Sequence, residues 1–328
     1  MTGLQLPSTV PGARVLGIGS HQPEKVLTNR DLEQIVETDD AWIRSRVGIA
    51  ERRIAGPETS LVSMAVASGL AAMGDAGVNP ADLDAVVVAT CTMPNPIPNA
   101  AAQVATGVGA NGVAAFDVNA ACAGFSYGLG VAADMVRAGT ARLVLVIGAE
   151  KLSDWLDWQD RSTCIIFADA AGAAVVGVAD ADSVGIGPVS WGSAGDVAST
   201  IRILGETTNK LHQEGQAVFR WATSQIAPVA LDAIARAGLE PSDIDVLIPH
   251  QANLRIVEAI AKKLRAKGAR EDMVVADDIV TSGNTSSASI PMALDHMRAA
   301  GRVRSGDTLL LVGFGAGLSY AGQVVVCP

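Results

Sequence analysis

Aromatic side chains are scarce in this sequence: five Trp, two Tyr and five Phe make up 4% of 328 residues. With 49% hydrophobic content, the core is filled by Ala, Val, Ile and Leu, as in layered α/β structures and broad subunit interfaces. The chain is long enough for two core-bearing halves. Positive charge is also in deficit, 24 Lys and Arg against 34 Asp and Glu, for a net charge of −10. That excludes general nucleic-acid binding, because phosphate backbones are held by clustered Lys and Arg. Two basic groups remain, Arg44, Arg46, Arg52 and Arg53 in one, Arg255, Lys262, Lys263, Arg265 and Lys267 in the other. Read alone, each is a solvated face.

Cysteine is sparse. Cys91, Cys122, Cys164 and Cys327 form no Cys-x-x-Cys pair and no zinc-like His/Cys spacing. Reduced thiols, no metal and a cytoplasmic location are therefore expected, with all but Cys122 read as inert core thiols. No basic region followed by an apolar stretch opens the chain, so no secretory signal is expected. A charge-free run from Ala85 to Phe116 exceeds membrane-spanning length, but Pro94, Pro96 and Pro98 interrupt it. No membrane-spanning helix is expected.

What the sequence does have is a repeat. Ala76-Gly77-Val78-Asn79-Pro80-Ala81-Asp82-Leu83-Asp84-Ala85-Val86 recurs 161 residues later, starting at Ala237-Gly238. Each copy reads as a helix ending at Gly, a Pro turn and a buried strand. Asp134 to Gly139 recurs as His296 to Gly301, an offset of 162, each closing a helix before a strand. Subtracting 162 from Asn284 reaches Cys122, so the repeat pairs these two at the starts of corresponding helices. A pseudo-twofold packing of the halves would bring both helix starts together, with His250 arriving from a strand-end loop.

Cys122 follows the buried run Ala114 to Val118 and precedes an Ala/Gly-rich helix. The helix start favours thiolate over thiol, which suits covalent catalysis on thioesters. A neutral imidazole and an Asn amide can both donate to one thioester oxygen and stabilise an enolate. Two other readings compete. Gly124-Phe125-Ser126-Tyr127-Gly128 matches the elbow of serine hydrolases, yet the turn falls at Cys122 and leaves Ser126 one helical turn inside. A non-catalytic subunit that only binds acyl carriers would lack the nucleophile that Cys122 supplies. Gly313 to Gly317 lacks the spacing of a nucleotide loop.

Five motifs in order then resemble the bacterial β-ketoacyl-acyl-carrier-protein synthase III family, the initiating condensing enzymes of type II fatty acid synthesis. They are Asp39 to Ile49, Ala121-Cys122-Ala123-Gly124-Phe125, Pro249-His250-Gln251-Ala252-Asn253, Gly283-Asn284-Thr285-Ser286-Ser287-Ala288-Ser289-Ile290-Pro291 and Gly313-Phe314-Gly315-Ala316-Gly317-Leu318. The resemblance implies a thiolase-like fold, five α/β/α/β/α layers from two pseudo-symmetric halves. Residues 1–180 would carry the nucleophile and 181–328 the His and Asn, in a homodimer. It implies that an acyl-CoA primer acylates Cys122, and that His250 and Asn284 decarboxylate malonyl-acyl-carrier protein. The backbone N–H groups of Cys122 and Ala316 would form the oxyanion hole, Ala standing where relatives usually have Gly. Coenzyme A, a substrate rather than a cofactor, would contact Thr38, Trp42, Arg46, Arg161 and Asn253. The acidic carrier protein would meet Arg220, Arg255, Lys262 and Lys263. Leu152, Phe167, Phe219 and Ile97 would line the acyl pocket, Ile97 at a position where some relatives carry a Phe that reaches into the partner subunit. A smaller Ile there would admit branched or longer primers.

Overall fold

A computed structural model describes residues 11–179, 184–205 and 209–328, so the expected boundary between residues 180 and 181 lies outside the described residues. Two five-stranded sheets organise the chain. The first contains β1 (Gly12–His21), β2 (Ala85–Ala89), β3 (Ala114–Val118), β4 (Leu143–Lys151) and β5 (Asp169–Ala179), in the order β1-β5-β4-β2-β3. The second contains β6 (Ser190–Ser193), β7 (Val246–Pro249), β8 (Val274–Val275), β9 (Thr308–Gly315) and β10 (Ser319–Val326), in the order β8-β7-β9-β10-β6. In each, the strand next to one edge has parallel neighbours on both sides, and two antiparallel strands complete the other edge. The two sheets thus share one pairing pattern, strand for strand.

Six helices complete the layers: α1 (Leu61–Ala76), α2 (Ala100–Val108), α3 (Gly124–Arg137), α4 (Gly215–Arg236), α5 (Leu254–Arg265) and α6 (Ser289–Ala299). Met64 and Ala72 of α1 and Val104 of α2 pack on the first sheet. Ile226 of α4 and Ile260 of α5 pack on the second. Between the sheets lie α3 and α6, whose Phe125, Leu129, Ile290 and Leu294 share a core with β-strand residues of both. These are the five layers expected of a thiolase-like chain. β2 reads Ala-Val-Val-Val-Ala and is buried at every position, because helices cover both faces of its sheet. Among the described residues no helix is long and apolar enough to cross a membrane.

The repeat is visible at its turns. α1 ends at Gly77 with φ 64 and α4 is followed by Gly238 with φ 74, each leading through a Pro-started 3-10 turn into a strand. The helix ends of α3 and α6 are followed by Gly139 (φ 71) and Gly301 (φ 68). One inference from the repeat is corrected at the helix starts. There the phase is set by two non-glycine residues with left-handed backbone, Ala121 (φ 46) and Ser286 (φ 51), each opening a 3-10 turn before its helix. Ser286 lies 165 positions after Ala121, not 162. The difference arises because α3 spans 14 residues and α6 only 11, about one turn less. Asn284 therefore corresponds to Asn119, and the equivalent of Cys122 is Ser287. Both asparagines use Oδ1 to accept a backbone N–H two residues on, from Ala121 at 3.3 Å and Ser286 at 2.9 Å. The two 3-10 turns still pack together at the centre, as a pseudo-twofold arrangement requires.

Close approach there depends on Gly148 of β4. A Cβ at that position would lie 2.3 Å from the Ser287 carbonyl oxygen and 2.6 Å from its carbon, and backbone cannot swing away as a side chain can. Gly148→Ala should cost about 1–3 kcal/mol through overpacking. The expected result is a lower thermal midpoint, with condensation activity lost further because the Asn284–Ser289 segment must shift.

Candidate active site

One cavity of about 720 Å³ runs inward between the two halves. Cys122, His250 and Asn284 line its inner end together with Cys91, Ser286, Phe314, Gly315 and Ala316. Cys122 stands in the 3-10 turn Ala121–Ala123, directly before α3. Gly315 leaves room for it, since a Cβ there would lie 2.6 Å from the Cys122 nitrogen. Ala316 follows at the end of β9, so its backbone faces the same space.

The expected thiolate is not what this environment favours in the free chain. Burial pushes the Cys122 thiol up to about 12, and the nearby Glu150 charge adds to that, while Ser286 and the cysteine's own N–H act in the opposite sense. The helix start does not outweigh desolvation.

His250 begins the loop after β7, its N–H held by the Val312 carbonyl at 2.8 Å. Its ring is 1% exposed and meets Phe314 edge-on at 5.3 Å. With no charged partner, burial draws its pKa down to about 3, so the ring is neutral. Nδ1 lies 2.7 Å from the Ser289 hydroxyl, whose oxygen also accepts the Gln251 N–H at 3.4 Å. The hydroxyl proton is thereby directed to Nδ1, which leaves Nε2–H as the donor. Asn284 is fixed by bridging to Phe167: its N–H donates to the Ile166 carbonyl, and its carbonyl accepts from Ala168, both at 2.9 Å. Because Oδ1 is committed to the Ser286 N–H, the amide's remaining group is the NH2. Imidazole and amide thus present N–H donors only.

Leu152, Phe167 and Phe219 line the cavity as expected. Ile97 does not: it is 84% exposed on the segment before α2 and outside the wall of its own chain. Cys91 is in the wall, which corrects its reading as a core thiol, whereas Cys164 and Cys327 are buried. Trp42, Arg46, Arg161 and Asn253 line the outer part. The guanidinium groups of Arg161 and Arg46 sit 4.5 and 5.6 Å from the Trp42 ring, so that aromatic face is already stacked on cations. Asn253 caps α5 through the Arg255 N–H and donates to the Arg46 carbonyl. Thr38 lies outside the lining, its hydroxyl buried and without a protein partner. Arg220, Arg255, Lys262 and Lys263 are exposed on α4 and α5, the first two at the cavity mouth.

Ser126 lies within α3, 0% exposed and off the cavity, with its hydroxyl unpartnered against Gly313. That placement removes the hydrolase reading. Arg52, grouped above with a solvated basic face, is also 0% exposed. Its guanidinium donates to Asn29 Oδ1 and to the Leu27 and Ile165 carbonyls. It braces the Ile165–Ile166 loop that holds Asn284. Glu150, at the inner end of β4, is completely buried beneath Ser286 and Ser287. A lone carboxylate ending an apolar strand was its only mark in the sequence.

Comparison with known proteins agrees along the whole chain. Residues 116–195 match the family model described as 3-oxoacyl-acyl-carrier-protein synthase III, and residues 234–327 its C-terminal model. The beta-ketoacyl-acyl-carrier-protein synthase III 4 of Streptomyces coelicolor is 50% identical over 318 residues, 97% of this chain and 99% of that protein. The mycobacterial beta-ketoacyl-acyl-carrier-protein synthase III of Mycobacterium avium is 48% identical, covering 96% and 95%. Among solved structures, a priming beta-ketosynthase from a polyketide pathway superimposes with a TM-score of 0.95 at 40% identity, covering 100% of this chain and 99% of that one. The 3-oxoacyl-acyl-carrier-protein synthase III of Aquifex aeolicus gives 0.90 at 39%, covering 96% and 100%.

Proposed function

The chain belongs to the 3-oxoacyl-acyl-carrier-protein synthase III family, and from that premise we propose which of its residues carry the reaction. The enzyme is an acyltransferase of fatty acid biosynthesis: it condenses an acyl-CoA primer with malonyl-acyl-carrier protein, with loss of carbon dioxide, to give 3-oxoacyl-acyl-carrier protein. Cys122 Sγ takes the primer acyl group, the oxyanion resting on the N–H groups of Cys122 and Ala316. Coenzyme A leaves along Trp42, Arg46, Arg161 and Asn253. The malonyl thioester then enters with its carbonyl oxygen between His250 Nε2–H and the Asn284 amide. Loss of carbon dioxide leaves an enolate that these two donors stabilise, and its carbon attacks the Cys122 thioester. The reading rests on one observation: a thiol and two neutral N–H donors share the closed end of one largely apolar cavity.

The reaction calls for no cofactor, coenzyme A entering as the thioester substrate. Carrier protein docks on Arg220, Arg255, Lys262 and Lys263, an exposed basic group that starts at the cavity mouth with the first two and carries the charge an acidic partner needs. A homodimer joined through the edge strand β3 would cover its exposed polar backbone and seat Ile97 against the partner's cavity. All four cysteines are free, in keeping with a reducing cytoplasm.

Carbon dioxide release from malonyl-carrier protein, measured across a panel of acyl-CoA primers, tests this. Wild-type enzyme should turn over isobutyryl-CoA within about tenfold of acetyl-CoA, and Ile97→Phe should lower isobutyryl turnover by about 10-fold or more while sparing acetyl, the effect of lost pocket volume. Acetyl-CoA far ahead of isobutyryl-CoA in the wild type would sink the wide pocket. No release with any primer would sink the condensation itself.

A further inference from the structure

Among the described residues the largest fully buried side chain is Arg52, a cation to which the mechanism above gives no part. Every acceptor it reaches is uncharged. Nη1 donates to Asn29 Oδ1 at 2.7 Å and to the Leu27 carbonyl at 3.3 Å, and Nη2 to the Ile165 carbonyl at 2.7 Å. Nε is buried without a partner. Burial draws the guanidinium down only to about 10, so it stays ionised at neutral pH. An ionised group is costly to desolvate, and an apolar side chain of similar volume fills such a place as well or better. Packing alone therefore does not account for an arginine here.

The guanidinium grips the frame of Asn284. Nη2 holds the Ile165 carbonyl, and the next carbonyl along the chain, that of Ile166, accepts the Asn284 N–H at 2.9 Å. The Ala168 N–H returns to the Asn284 carbonyl, also at 2.9 Å. The stem of Arg52 closes the other side. A Cβ on Gly283 would meet Arg52 Cβ at 3.0 Å, Ala168 Cβ at 3.1 Å and the Ile166 carbonyl oxygen at 3.2 Å, so the residue before Asn284 is wedged between the arginine and the loop that the arginine holds. Gly283 has φ 68, a backbone that glycine adopts without strain. Just before the strand Glu51–Arg53, the Ala50 N–H donates to the Val280 carbonyl at 2.7 Å, in the helical turn Ile279–Ser282 that leads to Gly283. One side chain of the first half thus touches the backbone on both sides of Asn284 in the second.

The aim of the guanidinium is fixed from behind. Asn29 is 1% exposed and has its Nδ2 protons in use, to Asp40 Oδ1 at 2.8 Å and the Ile49 carbonyl at 2.9 Å, which leaves Oδ1 to face Arg52. We propose that Arg52 is a positioning residue for Asn284: by holding the Ile165 carbonyl and the Gly283 backbone together it sets where the Asn284 amide stands, so that malonyl decarboxylation depends on it and acylation of Cys122 does not. The inference rests on the reading of Asn284 as a donor to the enolate. The contacts that place Cys122 are separate: the Ala121 N–H goes to Asn119, and Gly315 packs against the Cys122 backbone. The helix Asp40–Val47, which carries Trp42 and Arg46, keeps its bond from Asn29 to Asp40 whether or not Arg52 is present.

The test is a double-mutant cycle on the full chain, with Arg52→Met, Arg52→Lys, Asn284→Ala and the two combinations. Methionine fills space without donors, while lysine keeps the charge and lacks the planar fork. Two rates are measured below the thermal midpoint of each variant: acetyl transfer from acetyl-CoA to Cys122, by intact mass, and carbon dioxide release from malonyl-acyl-carrier protein by the acetylated enzyme. Arg52→Met should slow carbon dioxide release by about 10²-fold and Arg52→Lys by about 10-fold, the scale of a misplaced group at a reacting centre, with acetyl transfer within about threefold of wild type in both. In the Asn284→Ala background the same changes should cost less than about threefold more, because the residue they act through is gone. Losses that multiply in full overturn the proposal. A parallel fall in both half-reactions overturns it too, marking a general loss of structure, and so does wild-type carbon dioxide release in Arg52→Met, marking a space filler. If Arg52→Met does not fold, the lysine cycle decides alone. No carbon dioxide release from wild-type enzyme would count against the proposed function, whereas the cycle bears on Arg52 only.

Discussion

Cys122→Ala will take up no acyl group from acetyl-CoA, and its condensation rate will fall by about 10³-fold or more, the scale of removing a covalent nucleophile. No second thiol can substitute. Cys91 shares the cavity, but its thiol is turned to Glu150 and Ser286 and is pushed well above its usual pKa by burial and by the Glu150 charge. The paired control is Ser126→Ala. Ser126 is sealed inside α3 with an unsatisfied hydroxyl, so its removal should leave turnover within about threefold and make the chain more stable by about 1 kcal/mol, the cost of a buried group without a partner. Intact mass after incubation with acetyl-CoA, together with thermal midpoints, checks both. An acyl adduct on Cys122→Ala, or loss of activity in Ser126→Ala, would move the nucleophile elsewhere.

The sequence carried the fold through features that act locally. Gly77, Gly139, Gly238 and Gly301 mark helix ends with positive φ, and the apolar run of β2 has no alternation because both its faces are covered. Neither depends on distant contacts. Cys122, His250 and Asn284 were legible for a related reason: each follows a strand or opens a turn, where short motifs persist. The misreadings are of another kind. Pairing Cys122 with Asn284 assumed one constant offset, whereas α3 and α6 differ by three residues in length, a difference that no motif records. Arg52 looked solvated beside Arg53. Its burial arises from Asn29 and Ile165, 23 and 113 residues away. Glu150 was passed over because its partners come from Thr90 to Thr92 and from Ser286 and Ser287, gathered only when the two halves meet.

His250→Ala and Asn284→Ala should each slow malonyl decarboxylation by about 10²–10³-fold, the usual loss for one donor to a developing oxyanion, while acetyl labelling of Cys122 persists. The two losses should not add in free energy, since both donors serve one oxygen and either alone leaves it misplaced. Asn284→Asp makes the sharper test. The Ser286 N–H that now binds Oδ1 would hold the aspartate in the same orientation, so geometry survives while the NH2 donor becomes an oxygen acceptor. If Asn284 serves by donating, Asp must be slower than Ala, because it adds charge repulsion to the lost hydrogen bond. If it serves only to shape the turn, Asp must be faster than Ala. The imidazole gives a matching pH signature. Its pKa is lowered by burial to about 3, so it stays neutral across the working range, and decarboxylation should show no His inflection between pH 6 and 8. The same shift fixes the sign for stability. The unfolded imidazole protonates near its ordinary 6.5 while the folded one does not, so stability should decline as pH falls from about 6.5 toward 3. Denaturation midpoints for wild type and His250→Ala over that window should converge at low pH, where the buried neutral ring is the costlier choice.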